Sequence, residues 1–273
     1  NVILAQRSDI PVVSMSLEMP GGYVADVGRK LGTASFTLGM LDEGSGDLGA
    51  LGFGDRAEAL GANLGAGAAL DGGNAFLSAL KENLDPSVAL FAQMLRSPNS
   101  DEKEIERARQ AWIAGIKQEK ARPNSAAQRL LPPLIYGEGH PYAIPFSGSG
   151  SEASIAALTR DDLVAFHRDW VRPEGATLIV VGDTTTSALR PLVEARFGAW
   201  KADGPAAPPF PVRASPQPGK RQIFLVDKPG AAQSQIRIGL VGVPRSTPDY
   251  IALDVLNTVL GGTMSSRLFQ HIR

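Results

Sequence analysis

The feature that most constrains this chain is a pattern that occurs twice. "NVILAQRSDIPVVSMSLEMPGG" orders a strand, a polar turn, a second strand and a Pro/Gly stop, with Val2–Ala5 and Val12–Met19 β-like. From Arg221, "RQIFLVDKPGAAQSQIRIGLVGVPR" repeats that order. A helix follows in both places, Asp249–Leu260 in the second. A period of about 220 residues means duplicated domains rather than a solenoid. Between the copies, 203–219 reads "DGPAAPPFPVRASPQPG", whose six prolines make it an extended linker. The expected organisation is a first domain over 1–202, the linker over 203–219 and the start of a second domain over 220–273. That second stretch is too short to close a core of its own, so it reads as an incomplete copy.

Composition narrows the function classes. A net charge of −1 gives no electrostatic reason to bind nucleic acid. The absence of cysteine excludes disulfides, thiolate catalysis and cysteine zinc sites. No apolar run approaches the roughly 18 residues of a membrane-spanning helix. Neither charge nor cysteine content sets the compartment; a periplasmic location in a bacterium is favoured over a cytoplasmic one.

Strands and helices follow one another along the first copy. Arg29–Leu41 reads as a helix, "DEGSGD" at 42–47 as a loop and Leu51–Leu60 as a helix. "ANLGAGAALDGGNAFLSALK" reads as a small-residue hairpin turning at "LDGGN". Asp85–Leu95 is helical, with Pro86 in the first turn. The next helix runs to about Lys120, with Asn99 and Ser100 as candidate N-caps. Ser125–Tyr136 is helical up to a kink or stop at Pro132 and Pro133. Thr159 and Asp162 open a capped helix to about Trp170, and "ATLIVVGD" and Thr186–Phe197 form a strand and its following helix.

"VVSMSLEMPGG", "LDEG", "NLDPSVALFAQML", "YGEGHPYAIP", "LTRDDLVAFHRDWVRPEGATLIVVGD" and "LGGTMSSRLFQHIR" resemble the pitrilysin/insulinase family of zinc peptidases, in order and over nearly the whole chain. The resemblance implies duplicated α+β domains, each an antiparallel-rich sheet packed with helices, that enclose a chamber. Active members carry His-x-x-Glu-His on a helix. Positions i and i+4 share a face, so two imidazoles grip one zinc while the Glu polarises its water. The family pattern G-x-A-H-x-x-E-H-M-L falls here on "GTASFTLGML", 32–41. Ser35 stands at the first His, Leu38 at the Glu and Gly39 at the second His. The third ligand, a Glu on the helix of "EIERARQAWIAGI", aligns with Ala114; its neighbours Ile113 and Gly115 lack a ligand too. The resemblance thus implies that this chain has no metal site, zinc belonging to a partner.

Two further elements follow from the resemblance. An Arg of the second domain reaches the substrate in active members, and "FQHIR" places Arg273 there, where its guanidinium would suit a peptide carbonyl. The glycine-rich hairpin corresponds to an edge strand that accepts peptide by β-addition. Other reactive side chains have plainer readings. His140 is a turn contact rather than a ligand and His167 a helix-face residue, while His271 lies near Arg273. Asp42 and Glu43 are loop carboxylates rather than a catalytic pair, and Ser35 has no base to make it a nucleophile.

The expected function is a non-catalytic subunit. It would pair with a homologous zinc-bearing peptidase and close a chamber for peptides or unfolded segments. The alternatives are a structural scaffold, like the core subunits of the cytochrome bc complex, and a peptidase with a relocated metal site.

Overall fold

The computed structural model describes residues 1–137, 139–205, 214–215 and 219–272. The expected linker lies mostly outside these, as does Arg273. Strand β1 (Val2–Gln6) leads through a turn to β2 (Val12–Pro20). Helix α1 (Thr33–Gly39) follows, then a two-residue ladder of β3 (Gly44–Ser45) with β4 (Leu48–Gly49), and α2 (Ala50–Ala59). A hairpin of β5 (Asn63–Ala68) and β6 (Gly72–Leu80) precedes three helices, α3 (Leu84–Arg96), α4 (Glu102–Ala121) and α5 (Pro123–Tyr136). Then come α6 (Glu152–Ala156), α7 (Arg160–Trp170), β7 (Thr177–Gly182) and α8 (Thr186–Phe197). Helices α9 (Tyr250–Asn257) and α10 (Arg267–Ile272) lie beyond the linker.

The long strands form one five-stranded sheet in the order β1-β7-β2-β6-β5. β1 runs parallel to β7, and the other neighbours are antiparallel. The fold is α+β. Register explains the alternation in β2: Met15 lies between Leu77 and Val180, and Leu17 between Ala75 and Leu178, all inward and buried. Ser14, Ser16 and Glu18 point to the other, open face. The inward face packs on Val88, Phe91, Met94 and Leu95 of α3 and on Phe166 and Trp170 of α7. Each such side chain contributes roughly 1.5–3 kcal/mol by leaving water. The "PGG" stop is a packing requirement as well as a turn. A β-carbon at Gly22 would lie 2.1 Å from the Ala69 carbonyl oxygen, where the chain after β2 docks on the β5–β6 turn.

Several expectations are corrected. The helix expected over 29–41 is confined to Thr33–Gly39, because Gly32 takes φ +93° and the Asp26 carboxylate accepts the first amides there. The acidic 42–47 loop contains β3, which pairs with β4 just after it. α4 is capped by Asp101, which accepts from the Lys103 amide at 2.9 Å; Asn99 instead ties down that ladder through the Gly46 and Leu48 carbonyls. α5 continues through Pro132 and Pro133 to Tyr136. The strand-like runs of 221–245 form no strand: their side chains are exposed, and no described strand lies beside them to satisfy their amides. Among the described residues, no helix is long and apolar enough to cross a membrane.

Candidate functional site

The place to look for chemistry is α1, whose start is fixed from below. Asp26, 1% exposed, accepts from the amides of Gly32 at 2.7 Å and Ala34 at 2.9 Å. A carboxylate at a helix N-terminus suits the helix dipole. Burial nonetheless pushes the Asp26 carboxyl up to about 7, opposed by those amides and by Arg29. The helix is buried almost all round, from Thr33 through Leu38.

Ser35 and Gly39, one turn apart, face separate fillings. Ser35 lies under the 147–150 loop, where a β-carbon at Gly148 would come within 2.6 Å of its Oγ. Gly39 lies against Trp112 of α4, whose Cζ3 would sit 3.5 Å from a β-carbon there. The indole packs edge-on to Phe36, with ring centroids 5.4 Å apart, and its Nε1 donates to the Ser149 carbonyl at 3.0 Å. Ile105, Ala108, Ile113 and Ile116 of α4 extend this small core, which also takes in Met40, Ile155, Leu158 and Leu163. Leu38 turns the other way, into the main core: its Cδ1 would be 2.9 Å from a β-carbon at Gly73 of β6.

Ala114 is not part of this contact. It is exposed and stands about 200° around α4 from Trp112. The α4 side chain that meets Gly39 is Trp112. The loop over Ser35 is held from behind. Arg129 of α5 donates to Glu119 at 2.5 Å, to Ser147 and Ser149, and to the Gly150 carbonyl. Nothing in the local sequence pattern singles out Arg129 or Asp26.

These residues do not fit a zinc ion. A serine, a leucine, a glycine and an indole offer no imidazole or carboxylate, and indole and loop occupy the space between the helices. Among the described residues, no three His, Asp or Glu side chains gather as a metal would require. The histidines have other work. His167 Nε2 donates to the Leu95 carbonyl at 2.8 Å, and burial lowers its pKa. His140 stacks on Tyr136 and accepts from the Tyr142 amide through Nδ1. His271 is exposed on α10. Glu43 pairs with Arg107, while Asp42 stands beside β5 with its pKa raised by burial.

A family model described as "Insulinase (Peptidase family M16)" matches residues 1–140, and one described as "Peptidase M16 inactive domain" matches 157–273. The chain belongs to the M16 peptidase family. A Bacillus subtilis relative named "Uncharacterized zinc protease YmxG" is 27% identical over 198 residues, 72% of this chain and 46% of its own length. A Helicobacter pylori relative named "Non-peptidase homolog YmxG" is 24% identical over 59% of this chain and 37% of its own. The crystal structure of an M16 inactive domain from Pseudomonas fluorescens superposes with a TM-score of 0.84 at 26% identity, covering 100% of this chain and 65% of that one. The chain spans about half the length of the curated M16 relatives it matches. β7 falls within the second M16 match, yet it pairs between β1 and β2 of the first.

Proposed function

We propose that this chain is a non-catalytic M16 subunit that binds peptide and works with a zinc-bearing homologue, which supplies the metal and the hydrolysis. The observation that carries the reading is the state of α1. Its ligand positions hold Ser35, Leu38 and Gly39, and Trp112 fills the space beside Gly39. Those three residues would have to change, and an indole move aside, before water could be activated there. The Helicobacter relative named a non-peptidase homolog supports the same reading. The first domain in this reading covers 1–202, with the linker over 203–219 and the second copy from 220. Peptide adds to the free edge of β5, and Arg273, outside the described residues, reaches toward the partner's site.

The test uses the purified chain alone and mixed with a zinc-bearing M16 homologue from the same genome. Metal analysis of the chain alone should show far less than one zinc per chain, and the mixture should gain peptidase activity over the homologue by itself. Arg273→Ala should lower turnover of the mixture while leaving co-elution intact. A full zinc equivalent in the single chain, or a homologue that is fully active and never co-elutes with it, overturns the proposal.

A further inference from the structure

β5 is the outermost strand of the sheet, and its outer edge makes none of the backbone hydrogen bonds found among the described residues. Ala69 and Gly72 form the bonded pair that closes the hairpin, with Ala69 N to Gly72 O at 2.8 Å. Alternation from that pair turns the amides and carbonyls of Leu64, Ala66 and Ala68 outward, ready for an added strand.

Gly65 lies between Leu64 and Ala66 and pairs across with Phe76 of β6. It has no side chain, yet it is buried, because its neighbours lean over it. A β-carbon there would stand 3.2 Å from Phe76 Cζ and 3.6 Å from Asp42 Oδ2. The aromatic ring therefore lies across the last strand and comes close to a carboxylate from the loop after α1. Phe76 remains 40% exposed. Glu43, beside Asp42 in sequence, is neutralised by Arg107, whereas Asp42 takes part in none of the ion pairs among the described residues. One bonded pair along, Asn74 opposite Gly67 holds Glu18, a second carboxylate on the same open face.

We propose that Phe76 and Asp42, meeting over Gly65 at the free edge of β5, form a subsite for a basic side chain of an extended peptide. An added strand places one residue abreast of Gly65 with its side chain on the Phe76 side of the sheet. A guanidinium or ammonium there lies against the ring and pairs with Asp42. A carboxylate there meets the like charge of Asp42. The inference rests on the peptide-binding reading above and adds to it a substrate class, peptides basic at one position.

The probe is a short capped Val/Thr-rich peptide with one central arginine, compared with its citrulline and glutamate counterparts by fluorescence anisotropy on the full chain. The arginine peptide should bind roughly tenfold more tightly than the citrulline peptide, as an ion pair and a cation–π contact together allow, and the glutamate peptide more weakly than both. Asp42→Asn should bring the arginine and citrulline affinities together, and Asp42→Lys should invert the order of arginine and glutamate. Ala66→Pro, which removes an outward amide, should weaken all three. Equal binding of arginine and citrulline peptides by the unaltered chain, or a preference that survives Asp42→Lys, overturns the subsite and leaves edge binding standing. No binding of any of the three overturns both.

Discussion

Two stretches of this chain carry the same strand–turn–strand pattern and have different structures. In the first, Met15 and Leu17 of β2 lie between β6 and β7, 2% and 6% exposed. In the second, Ile236 and Ile238 are 81% and 92% exposed, and the segment touches the body mainly along α5, where Gly239 meets Ile135 and Leu131. Both stretches have the alternation and β-branched residues that favour strands. The difference lies outside them. A strand has donors and acceptors on both edges and one apolar face, so it forms only where neighbours receive all three. β2 has a paired strand on each side; 221–245 has no paired strand among the described residues.

That comparison is broken most directly by placing a charge in each stretch. Met15→Asp should cost roughly 4 kcal/mol or more, because a buried carboxylate there has no partner, whereas Ile238→Asp should change stability by about 0.5 kcal/mol or less. Urea unfolding followed by circular dichroism measures both, and similar losses would mean that 221–245 is packed after all. Hydrogen exchange sharpens the contrast without mutation. Amides of β2, β6 and β7 should exchange at least about a thousandfold more slowly than those of 236–240.

A smaller effect belongs to the first region alone. The fold favours the protonated form of Asp26, whose carboxyl burial raises from the usual 3.8 to about 7. Its contribution to stability is therefore complete below about pH 4 and is lost as pH rises through 7, by a few kcal/mol at most. Urea midpoints between those limits should fall with pH, and Asp26→Asn should flatten that fall. The finest test is of how closed the first region is between α1 and α4. Gly39→His should cost about 1–3 kcal/mol by pressing on the indole, and Trp112→Ala in the same chain should recover part of it. Additive costs in the double-mutant cycle would separate Gly39 from Trp112. On the same geometry, a chain carrying Ser35→His, Leu38→Glu and Gly39→His together should show no zinc affinity in a titration while Trp112 remains.

Elements whose signals are local were legible in the sequence. Alternating apolar residues marked β2, a continuous apolar run marked β7, Thr159 and Asp162 marked the capping box of α7, and "LDGG" marked the β5–β6 turn. That Ser35, Leu38 and Gly39 offer no imidazole or carboxylate was legible too, because it depends only on residue type. What fills the space they leave was not, since Trp112, Gly148 and Arg129 come from three separate segments and meet α1 only in the fold. The start of α4 failed for a related reason: Asn99 is a good cap by type, but the β3–β4 ladder engages it first.

The position of β7 has a consequence for how the protein is made. Among the described residues β1 pairs only with β7, and their partners Val2 and Leu178 are 176 residues apart in the chain. At about 5–20 residues per second, roughly 10–35 s of synthesis separate the appearance of β1 from that of the strand it needs. Through that interval β1 has no neighbour, and β2 offers a bare edge beside Met15 and Leu17 to any chaperone or nascent chain nearby. A fragment cut at residue 140, where the first family match ends, would remain in that condition permanently.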